Sequence, residues 1–355
     1  MDTHVVIMAG GIGSRFWPMS TPECPKQFVD VAGTGRTLIQ MTVDRFRTVC
    51  PDENIWVVTG EVYVDKVREQ LPSIHDDHIL AEPVGRGTAP CIAYACWKIA
   101  LKHPDAVVVF TPADAFVNDV DEFRCVMRSA LEFTSSGRRI VTVGIRPSRP
   151  ETGYGYIECG AAAGNPSGMQ VFKVDSFREK PSLEVAVEYV ADKRYLWNAG
   201  IFVWSIPTVM SEIRTYAPEL ASQMDMMSAS FYSDAEREIV ARCFPQCSKI
   251  SIDYAVMEKS ECIYTLPADF GWSDLGTWGS LLALLPKDEN GNALVACKED
   301  GVRLIDCRGC IVHVPGAEKV VVQGLSDCIV AQHEGRLLVC RLDHEQKITD
   351  YSKDI

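Results

Sequence analysis

Three glycines and two cationic side chains stand close together near the start of the chain. Gly10, Gly11 and Gly13 follow the apolar run VVIMA, and Arg15 and Lys26 come shortly after them. Glycine lets a backbone approach a ligand closely and lets several N–H groups converge on one anion. The segment lacks the GxxxxGK[ST] pattern of a P-loop, and Arg15 occupies the place of the third glycine of a dinucleotide-binding loop. We interpret it as a phosphate loop of another kind, with an ordinary tight turn as the alternative.

Two aspartates that are well separated in the sequence are suited to bind a metal ion beside such a loop. Asp114 comes just after the apolar run VVVF, and Asp274 lies in the aromatic-rich segment FGWSDLGTW. Carboxylates are ligands that divalent cations prefer. The alternatives are that Asp114 caps a turn and that Asp274 has no role in binding. A second acidic pair, Asp119 and Asp121, opens an amphipathic stretch, where it would complement a helix dipole.

Two further segments offer groups for a base and for a sugar phosphate. The loop EPVGRGTAP contains Glu82 and Gly87, whose carboxylate and backbone are suited to read the edge of guanine; a helix-capping loop is the alternative. Further along, Glu179 and Lys180 precede a proline, and Asn198 stands at the start of a strand-like run. These side chains are suited to contact a phosphate and sugar hydroxyls. A simple charged turn is the alternative for the first two.

The elements that must position these residues alternate between strands and helices in the first half of the chain. Apolar runs predict strands at 5–9, 55–59, 78–80 and 107–110, and helical spacing predicts helices at 37–47, 62–71 and 88–101. Such βαβ units form a mainly parallel sheet that is covered on both faces and binds ligands beyond the carboxyl ends of its strands. We predict an α/β fold with a doubly wound, Rossmann-like mixed sheet.

The pattern changes beyond about Pro286. Short strand-like runs recur every eight to ten residues, with Gly, Asp or Glu between them and no helix before about Asp343. The even spacing is typical of a β-helix or a small sandwich. We therefore predict a large domain over residues 1–287 and a small all-β domain over residues 288–355.

The composition excludes several classes of protein. The chain of 355 residues is 47% hydrophobic and 23% charged, and its formal charge of −13 disfavours nucleic-acid binding. It has no apolar run long enough to span a membrane and no export signal, so we expect a cytoplasmic protein. The 14 cysteines are then expected to be reduced. Cys307 and Cys310 form a CxxC pair, but a zinc site would normally show a second pair.

The candidate residues together indicate phosphoryl chemistry without a protein nucleophile. The sequence shows no Ser/His arrangement and no HExxH motif. Positioning and charge neutralisation would therefore carry the reaction.

The ordered motifs resemble those of the sugar-phosphate nucleotidyltransferases, and most closely those of the bacterial mannose-1-phosphate guanylyltransferases. The matching segments, over residues 4 to about 280, are GGIGSRFWPMS with PKQF, EPVGRGTAP, PAD, GYGYI, REKP, WNAGIFVW, SIDYAVMEK and FGWSDLGTW. The resemblance implies a left-handed β-helix-like unit for the C-terminal strands and no isomerase activity. The chain departs from the family at Gly87, where relatives commonly have asparagine, and this departure bears on guanine selectivity.

The resemblance implies that GTP and α-mannose 1-phosphate react to give GDP-mannose and pyrophosphate. The sugar phosphate would attack the α-phosphorus in line. Arg15 and Lys26 would hold the triphosphate and neutralise the leaving pyrophosphate, and Lys180 would position the attacking phosphate. The nucleotide would be lined by the backbone of Ala9, Gly10, Gly11 and Gly13.

The same resemblance assigns the remaining candidates. Glu179, Asn198 and the backbone of Gly155 would contact the mannose hydroxyls. Asp114 and Asp274 would bind Mg²⁺, and guanine would meet Glu82 and the backbone near Gly87. A homodimer is expected from the strand-rich tail. The alternatives are another pair of nucleotide and sugar 1-phosphate, a homologue that binds a nucleotide sugar without turnover, and a glycosyltransferase that uses Asp119 and Asp121.

Overall fold

The computed structural model describes residues 2–295, 301–315 and 319–353 and divides into two compact units. The first unit comprises the chain up to Gly10, Val43–Pro112 and Val117–Trp272. The second comprises Gly11–Thr42, Ala113–Phe116 and the chain from Ser273 onward. The phosphate loop from Gly11 onward and Asp114 thus belong to the same unit as the C-terminal strands, whereas Gly10 belongs to the first unit. The domain boundary predicted at residue 287 stays a prediction.

The first unit is built on one nine-stranded mixed sheet. Its strands in chain order are β1 (Thr3–Ala9), β2 (Ile55–Gly60), β3 (Ile79–Glu82), β4 (Val107–Pro112), β5 (Ile140–Ile145), β6 (Tyr156–Gly164), β7 (Val171–Arg178), β8 (Tyr195–Ser205) and β9 (Ile263–Ala268). Their order in the sheet is β3-β2-β1-β4-β8-β5-β9-β7-β6. β3, β2, β1 and β4 run parallel, whereas β8 is antiparallel to both β4 and β5. Two further segments, Phe116–Val117 and Trp272–Ser273, are short and extended.

The described part of the chain contains ten α-helices. They are α1 (Leu38–Phe46), α2 (Val64–Gln70), α3 (Thr88–Ala100), α4 (Val120–Thr134), α5 (Leu183–Ala191), α6 (Ile206–Tyr216), α7 (Pro218–Ser228), α8 (Glu236–Cys243), α9 (Trp278–Leu284) and α10 (Ile348–Tyr351). α4 begins where the acidic pair predicts, because the Asp119 carboxylate accepts hydrogen bonds from the N–H groups of Asp121 and Glu122. The predicted role of that pair as a helix start is confirmed.

The packing of the core of the first unit explains why the sequences of its strands are continuous apolar runs. Side chains of β1, β2 and β4 pack with the almost entirely buried helix α3, and Phe110 and Trp204 pack beside them. Strands that are covered on both faces have no exposed side to carry polar residues. The mixed α/β architecture with a large central sheet therefore follows the prediction, whereas the antiparallel insertion of β8 was not foreseen.

The sequence also predicts that Thr88 caps the helix over 88–101 and that a short capped helix spans residues 251–259. The first of these predictions is wrong, and the second is met by a helical turn of another type. Thr88 does not cap α3 with its side chain; it is the first helical residue, and its hydroxyl accepts a hydrogen bond from Ile252 N at 2.9 Å. The expected helix over 251–259 is a single π-helical turn, Asp253–Met257. Apolar spacing does not reveal either feature, because both depend on a tertiary contact or on one extra residue per turn.

The C-terminal strands of the second unit stack with a fixed period. They are β10 (Ala293–Val295), β11 (Val302–Ile305), β12 (Ile311–His313), β13 (Val320–Gln323), β14 (Cys328–His333) and β15 (Arg336–Arg341). β10, β12 and β14 form one parallel ladder, and β11 and β13 form another. In both ladders each residue pairs with the one 18 positions further along, as Ile311 does with Ile329. β15 closes the first ladder as an antiparallel partner of β14.

Two thiols between the strands β11 and β12 belong to a small core. Cys307 and Cys310 are buried among valines, and their Sγ atoms lie 3.4 Å from main-chain oxygens. None of the helices in the described part of the chain has the length and apolar character needed to cross a membrane.

Candidate functional site

Lys26 lies at the centre of a polar cluster in the second unit. Its side chain is buried, and its Nζ atom lies 2.9 Å from Asp114 Oδ2. The same atom donates to the main-chain oxygens of Asp274, at 2.7 Å, and Leu275, at 2.9 Å. An ammonium group has three N–H bonds, so these three acceptors match its full capacity. Lys26 therefore links the two segments that carry the predicted metal ligands; we call these residues the Lys26 cluster.

The chain holds Lys26 there through a close approach of two backbones. Lys26 N donates to Ile12 O at 3.1 Å. Gly13 has φ +71°, and a Cβ atom at this position would lie 2.6 Å from Lys26 Cβ. Only glycine adopts this conformation without strain, and only glycine leaves room for the lysine stem. Gly13 is therefore required by the fold of the loop itself.

Gly10 and Gly11 differ from Gly13. A Cβ atom at either position would meet nothing within 4 Å, and neither has a positive φ. Of the three glycines of the loop, Gly13 alone takes a positive φ angle. In the first unit, the carbonyl of Ala9 accepts a hydrogen bond from Thr59 Oγ1 at 2.9 Å, which fixes the end of β1. The space beside Gly10 and Gly11 is open to a ligand.

The carboxylates of the Lys26 cluster remain suitable ligands for a divalent cation. The Asp114 side chain is 35% exposed although Lys26 contacts one of its oxygens. Asp274 Oδ1 accepts a hydrogen bond from Gly276 N at 3.1 Å, which orients that side chain. Carboxylate oxygens are the donors that hard divalent cations prefer, so the residues present fit such an ion.

Arg15 is exposed on a short 3₁₀ turn, Ser14–Phe16. Its Nη1 donates to Gln346 Oε1 at 3.2 Å, and the neighbouring Ser14 hydroxyl lies 3.0 Å from Thr349 Oγ1. The C-terminal segment of the second unit therefore supports the turn. Because the partner of Arg15 is a neutral amide, that contact leaves the guanidinium charge uncompensated, as binding of a triphosphate requires.

Four predicted sugar-phosphate residues come together in the first unit. Asn198 N donates to Gly155 O at 2.8 Å, and Lys180 Nζ lies 3.1 Å from Glu179 Oε1. A Cβ atom at Gly155 would lie 2.6 Å from Glu179 Oε2 and 3.4 Å from Asn198 Cβ, so glycine is needed for their close approach. We call these four residues the Gly155 cluster. Lys180 has φ +48°, an unfavourable backbone conformation of the kind found at functional sites.

A further acid in this region was missed by the sequence reasoning. Asp253 Oδ1 accepts a hydrogen bond from Asn198 Nδ2 at 3.3 Å. Burial, with repulsion from Glu179 as the second cause, raises the pKa of Asp253 to about 6. The motif SIDYAVMEK marked the segment, but its expected helix gave no reason to single out this aspartate. The motif therefore marked the segment in the sequence, but it did not reveal the contact between Asp253 and Asn198.

Glu82 ends β3 in a buried position of the first unit. Its Oε1 has no hydrogen-bond partner among the residues described, and burial raises the pKa of its carboxyl group to about 7. Donor groups that approach this carboxylate would stabilise its charged form.

Gly87 lies further along the same loop and takes a backbone conformation that only glycine favours. Its φ is +86° and its ψ is 177°. A Cβ atom there would lie 2.6 Å from Ile250 O, which accepts a hydrogen bond from Ala89 N at 3.2 Å. Glycine is thus a conformational requirement in this loop, and a side chain at position 87 would have to displace the segment around Ile250.

A separate polar group in the first unit consists of Asp2, His4 and His103. Their ligand-type atoms lie within 4.8 Å of one another, and they are the one such group of three among the described residues. The indole N–H of Trp56 donates to His4 Nδ1 at 3.0 Å, so the neutral His4 ring carries its proton on Nε2, 3.2 Å from Asp2 Oδ1. A metal ion at Nε2 would have to displace that proton. The arrangement therefore suits a proton between histidine and aspartate better than a metal ion.

The chain is similar to known proteins over nearly its whole length. The chain matches the nucleotidyl transferase family over residues 4–291. It is 32% identical over 351 residues to a mannose-1-phosphate guanylyltransferase of Escherichia coli, with 97% of this chain and 73% of that protein covered. A mannose-1-phosphate guanylyltransferase of Salmonella typhimurium is 34% identical, with 98% and 72% covered. The crystal structure of a Thermus thermophilus protein, described as a mannose-1-phosphate geranyltransferase, has a TM-score of 0.87 at 31% identity and covers 99% of both chains.

Proposed function

Because this chain belongs to the nucleotidyl transferase family, we propose that it transfers GMP from GTP to α-D-mannose 1-phosphate, giving GDP-mannose and pyrophosphate. The observation that carries the proposal is its similarity, over nearly its full length, to mannose-1-phosphate guanylyltransferases. In the reaction, an oxygen of the sugar phosphate forms a bond to the α-phosphorus of GTP. The bond between the α-phosphorus and the bridging oxygen breaks, and pyrophosphate leaves with that oxygen.

The cations of the second unit would act on the triphosphate. Arg15 would bind its outer phosphates, since its contact with Gln346 is a weak one that an anion can replace. Lys26 would contribute its positive charge, and its bonds to Asp114 and to the 274–275 backbone would fix where that charge lies. Preorganised charge of this kind stabilises a leaving pyrophosphate without reorganisation during the reaction.

Asp114 and Asp274 would hold a divalent cation, proposed as Mg²⁺. When bound, the ion would neutralise phosphate charge. The two side chains are supported for this role by their attachment to Lys26, one through its carboxylate and the other through its main chain.

The Gly155 cluster would bind the sugar phosphate. Lys180 would hold the attacking phosphate, because its side chain is 60% exposed and its flexible stem allows it to leave Glu179. The Glu179 carboxylate would accept from sugar hydroxyls, and Asn198 would donate its second Nδ2–H bond to one of them. Gly155 would contribute its backbone, since a side chain there would separate the other two.

Guanine recognition would fall to Glu82 and the backbone near Gly87. The Watson–Crick edge of guanine offers two donor groups, and a carboxylate can accept both. A buried carboxyl group with a pKa of about 7 would become ionised when these donors approach. The glycine-specific backbone at position 87 supports a fixed loop conformation next to this acid.

Pyrophosphate release tests the function directly. The protein is incubated with each of GTP, ATP, UTP, CTP and dTTP and with mannose, glucose or galactose 1-phosphate, in the presence of Mg²⁺, Mn²⁺ or EDTA. We expect the highest kcat/KM for GTP with mannose 1-phosphate and loss of turnover with EDTA. Preference for UTP or dTTP would favour the alternative of another nucleotide and sugar. Binding of GDP-mannose without any turnover would favour a non-catalytic homologue.

The finer predictions about architecture stay part of this proposal. The 18-residue period of the two C-terminal ladders equals three hexapeptides and supports a left-handed β-helix-like unit over residues 288–355. We propose in addition that the protein acts in the cytoplasm as a homodimer. Light scattering on the purified protein tests the dimer.

A further inference from the structure

The motif SIDYAVMEK forms one π-helical turn that brings two acids to the Gly155 cluster. Glu258 N donates to Asp253 O at 2.9 Å, which closes the i→i+5 bond of this turn. Asp253 contacts Asn198, and Glu258 Oε1 lies 3.4 Å from Glu179 N. Each acid of the turn therefore contacts one of the two residues assigned to the sugar hydroxyls. Single π turns are rare and recur at functional sites.

The Asn198 amide is held in one orientation by three hydrogen bonds. Its Oδ1 accepts from Thr142 Oγ1 at 3.0 Å and from Gly200 N at 3.1 Å. These two donors occupy both lone pairs of the oxygen. Its Nδ2 donates to Asp253 Oδ1, and a carboxylate can only accept from it. The amide is therefore unable to flip without placing its oxygen against the carboxylate.

We propose that Asp253 is a positioning residue for the sugar 1-phosphate, which holds the Asn198 amide so that its second Nδ2–H bond is directed at a sugar hydroxyl. This inference rests on the proposed function. Asp253 does not itself contact the sugar in this account; it acts through Asn198. Glu258 has a smaller part, because it is exposed and its contact with Glu179 N is long.

The charges around Asp253 agree with a positioning role. The acid lies near Glu179 and Lys180 and is half-buried. A buried carboxylate that held no other group would cost stability without benefit. Its hydrogen bond to Asn198 gives it a defined partner, and the charge of nearby Lys180 offsets a small part of its desolvation.

A double-mutant cycle tests the inference. Asp253→Ala, Asn198→Ala and the double variant are compared with the wild-type protein by steady-state kinetics at varied mannose 1-phosphate and fixed GTP. We expect Asp253→Ala to raise the KM for mannose 1-phosphate about tenfold while the KM for GTP changes by less than about twofold. The double variant should be no worse than Asn198→Ala, since Asp253 acts through that residue.

Conservative and control variants separate positioning from folding. In Asp253→Asn the new amide oxygen can still accept from Asn198 Nδ2, so this variant should recover most of the wild-type KM. Lys259→Gln changes an exposed residue of the same segment and should leave both KM values unchanged. Thermal unfolding checks that each variant folds; if Asp253→Ala does not, Asp253→Ser, whose side chain is too short to reach Asn198, replaces it in the cycle.

The inference is overturned if Asp253→Ala leaves the KM for mannose 1-phosphate unchanged, or if the losses of the two single variants multiply in the double variant. A wild-type protein that makes no GDP-mannose contradicts the proposed function instead. If that protein turns over another sugar 1-phosphate, the same cycle with that sugar decides the role of Asp253. The two failures are therefore distinguishable.

Discussion

The two lysines assigned to phosphates are held in opposite ways. Lys26, in the second unit, is 4% exposed and has three oxygen acceptors around its ammonium group. Lys180, in the first unit, has a side chain that is 60% exposed and pairs with Glu179. In the Lys26 cluster, the lysine itself holds the other residues in place. In the Gly155 cluster, Gly155 and Asn198 hold the structure together, and the exposed Lys180 side chain can move beside them.

Two lysines of equal charge can therefore contribute differently to folding and to ligand binding. A buried ammonium group must be paired to be tolerated at all, so it contributes to folding before any ligand is present. An exposed ammonium group keeps most of its hydration, so it changes the stability of the fold little and contributes mainly when a phosphate binds. Measurements of unfolding and of turnover should separate the two lysines.

The largest effect is expected for Lys26→Ala, which should reduce both stability and turnover. Removing the buried lysine leaves two carbonyls and the partly exposed Asp114 carboxylate without their partner, at about 2 kcal/mol of unfolding free energy. Turnover should fall at least about a hundredfold. Urea unfolding and pyrophosphate release measure the two losses. Lys287→Ala is the control, because exposed Lys287 also donates to main-chain oxygens. Unchanged unfolding of Lys26→Ala would remove the basis of the comparison.

Lys180→Ala should reduce turnover about a hundredfold while the unfolding free energy changes by less than about 0.5 kcal/mol. The reason is that the exposed side chain contributes little to the fold. The same two measurements apply, with exposed Lys193→Ala as the control in the same unit. A marked loss of stability would show that the two lysines are held alike.

The glycines of the two clusters sharpen the comparison. Gly13→Ala places a methyl group against the stem of Lys26 at a positive φ, so we expect a stability loss of about 1–2 kcal/mol. Gly155→Ala meets the flexible end of Glu179, which can move away. This variant should keep most of its stability and lose affinity for mannose 1-phosphate. Gly10→Ala, where the space is open, is the control for chain stiffening alone. Equal losses of unfolding free energy in Gly13→Ala and Gly155→Ala would contradict this distinction.

The smallest effect is a pH dependence in the first unit. The pKa of Asp253 is raised from 3.8 to about 6, so the folded state favours the protonated form. The free energy of unfolding should then fall as the pH rises from about 4 to about 6 and stay level above that range. Facing groups are Glu179, Lys180 and Ser251. Thermal unfolding of Asp253→Asn should lack this part of the pH dependence; an identical profile in both proteins would contradict it.

Much of the fold follows from the sequence because its signals are local. The apolar runs of β1, β2 and β4 and the acidic start of α4 depend on residues next to one another. The place of β8 between β4 and β5 depends instead on distant pairing, which no local pattern encodes. The π turn at Asp253 was missed because five residues are too few for apolar spacing to distinguish a π turn from an α turn.

The candidate site was predictable in its residues and less so in its contacts. The motifs name Gly155, Glu179, Lys180 and Asn198, and these four do lie together. That Lys26 is buried and saturated by oxygen atoms was not foreseen, because lysines are seldom found in such positions. Asp253 stood inside a recognised motif, but its use depends on a partner 55 positions earlier in the chain.

The shared 18-residue period of the C-terminal ladders constrains how this part of the chain can change in length. An insertion of one whole period adds a rung and leaves every side chain facing as before. A gain or loss of any other length within a rung shifts both ladders at once, unless a loop between strands absorbs it. Among related sequences, differences in length should therefore occur either in steps of 18 residues or at the turns between strands.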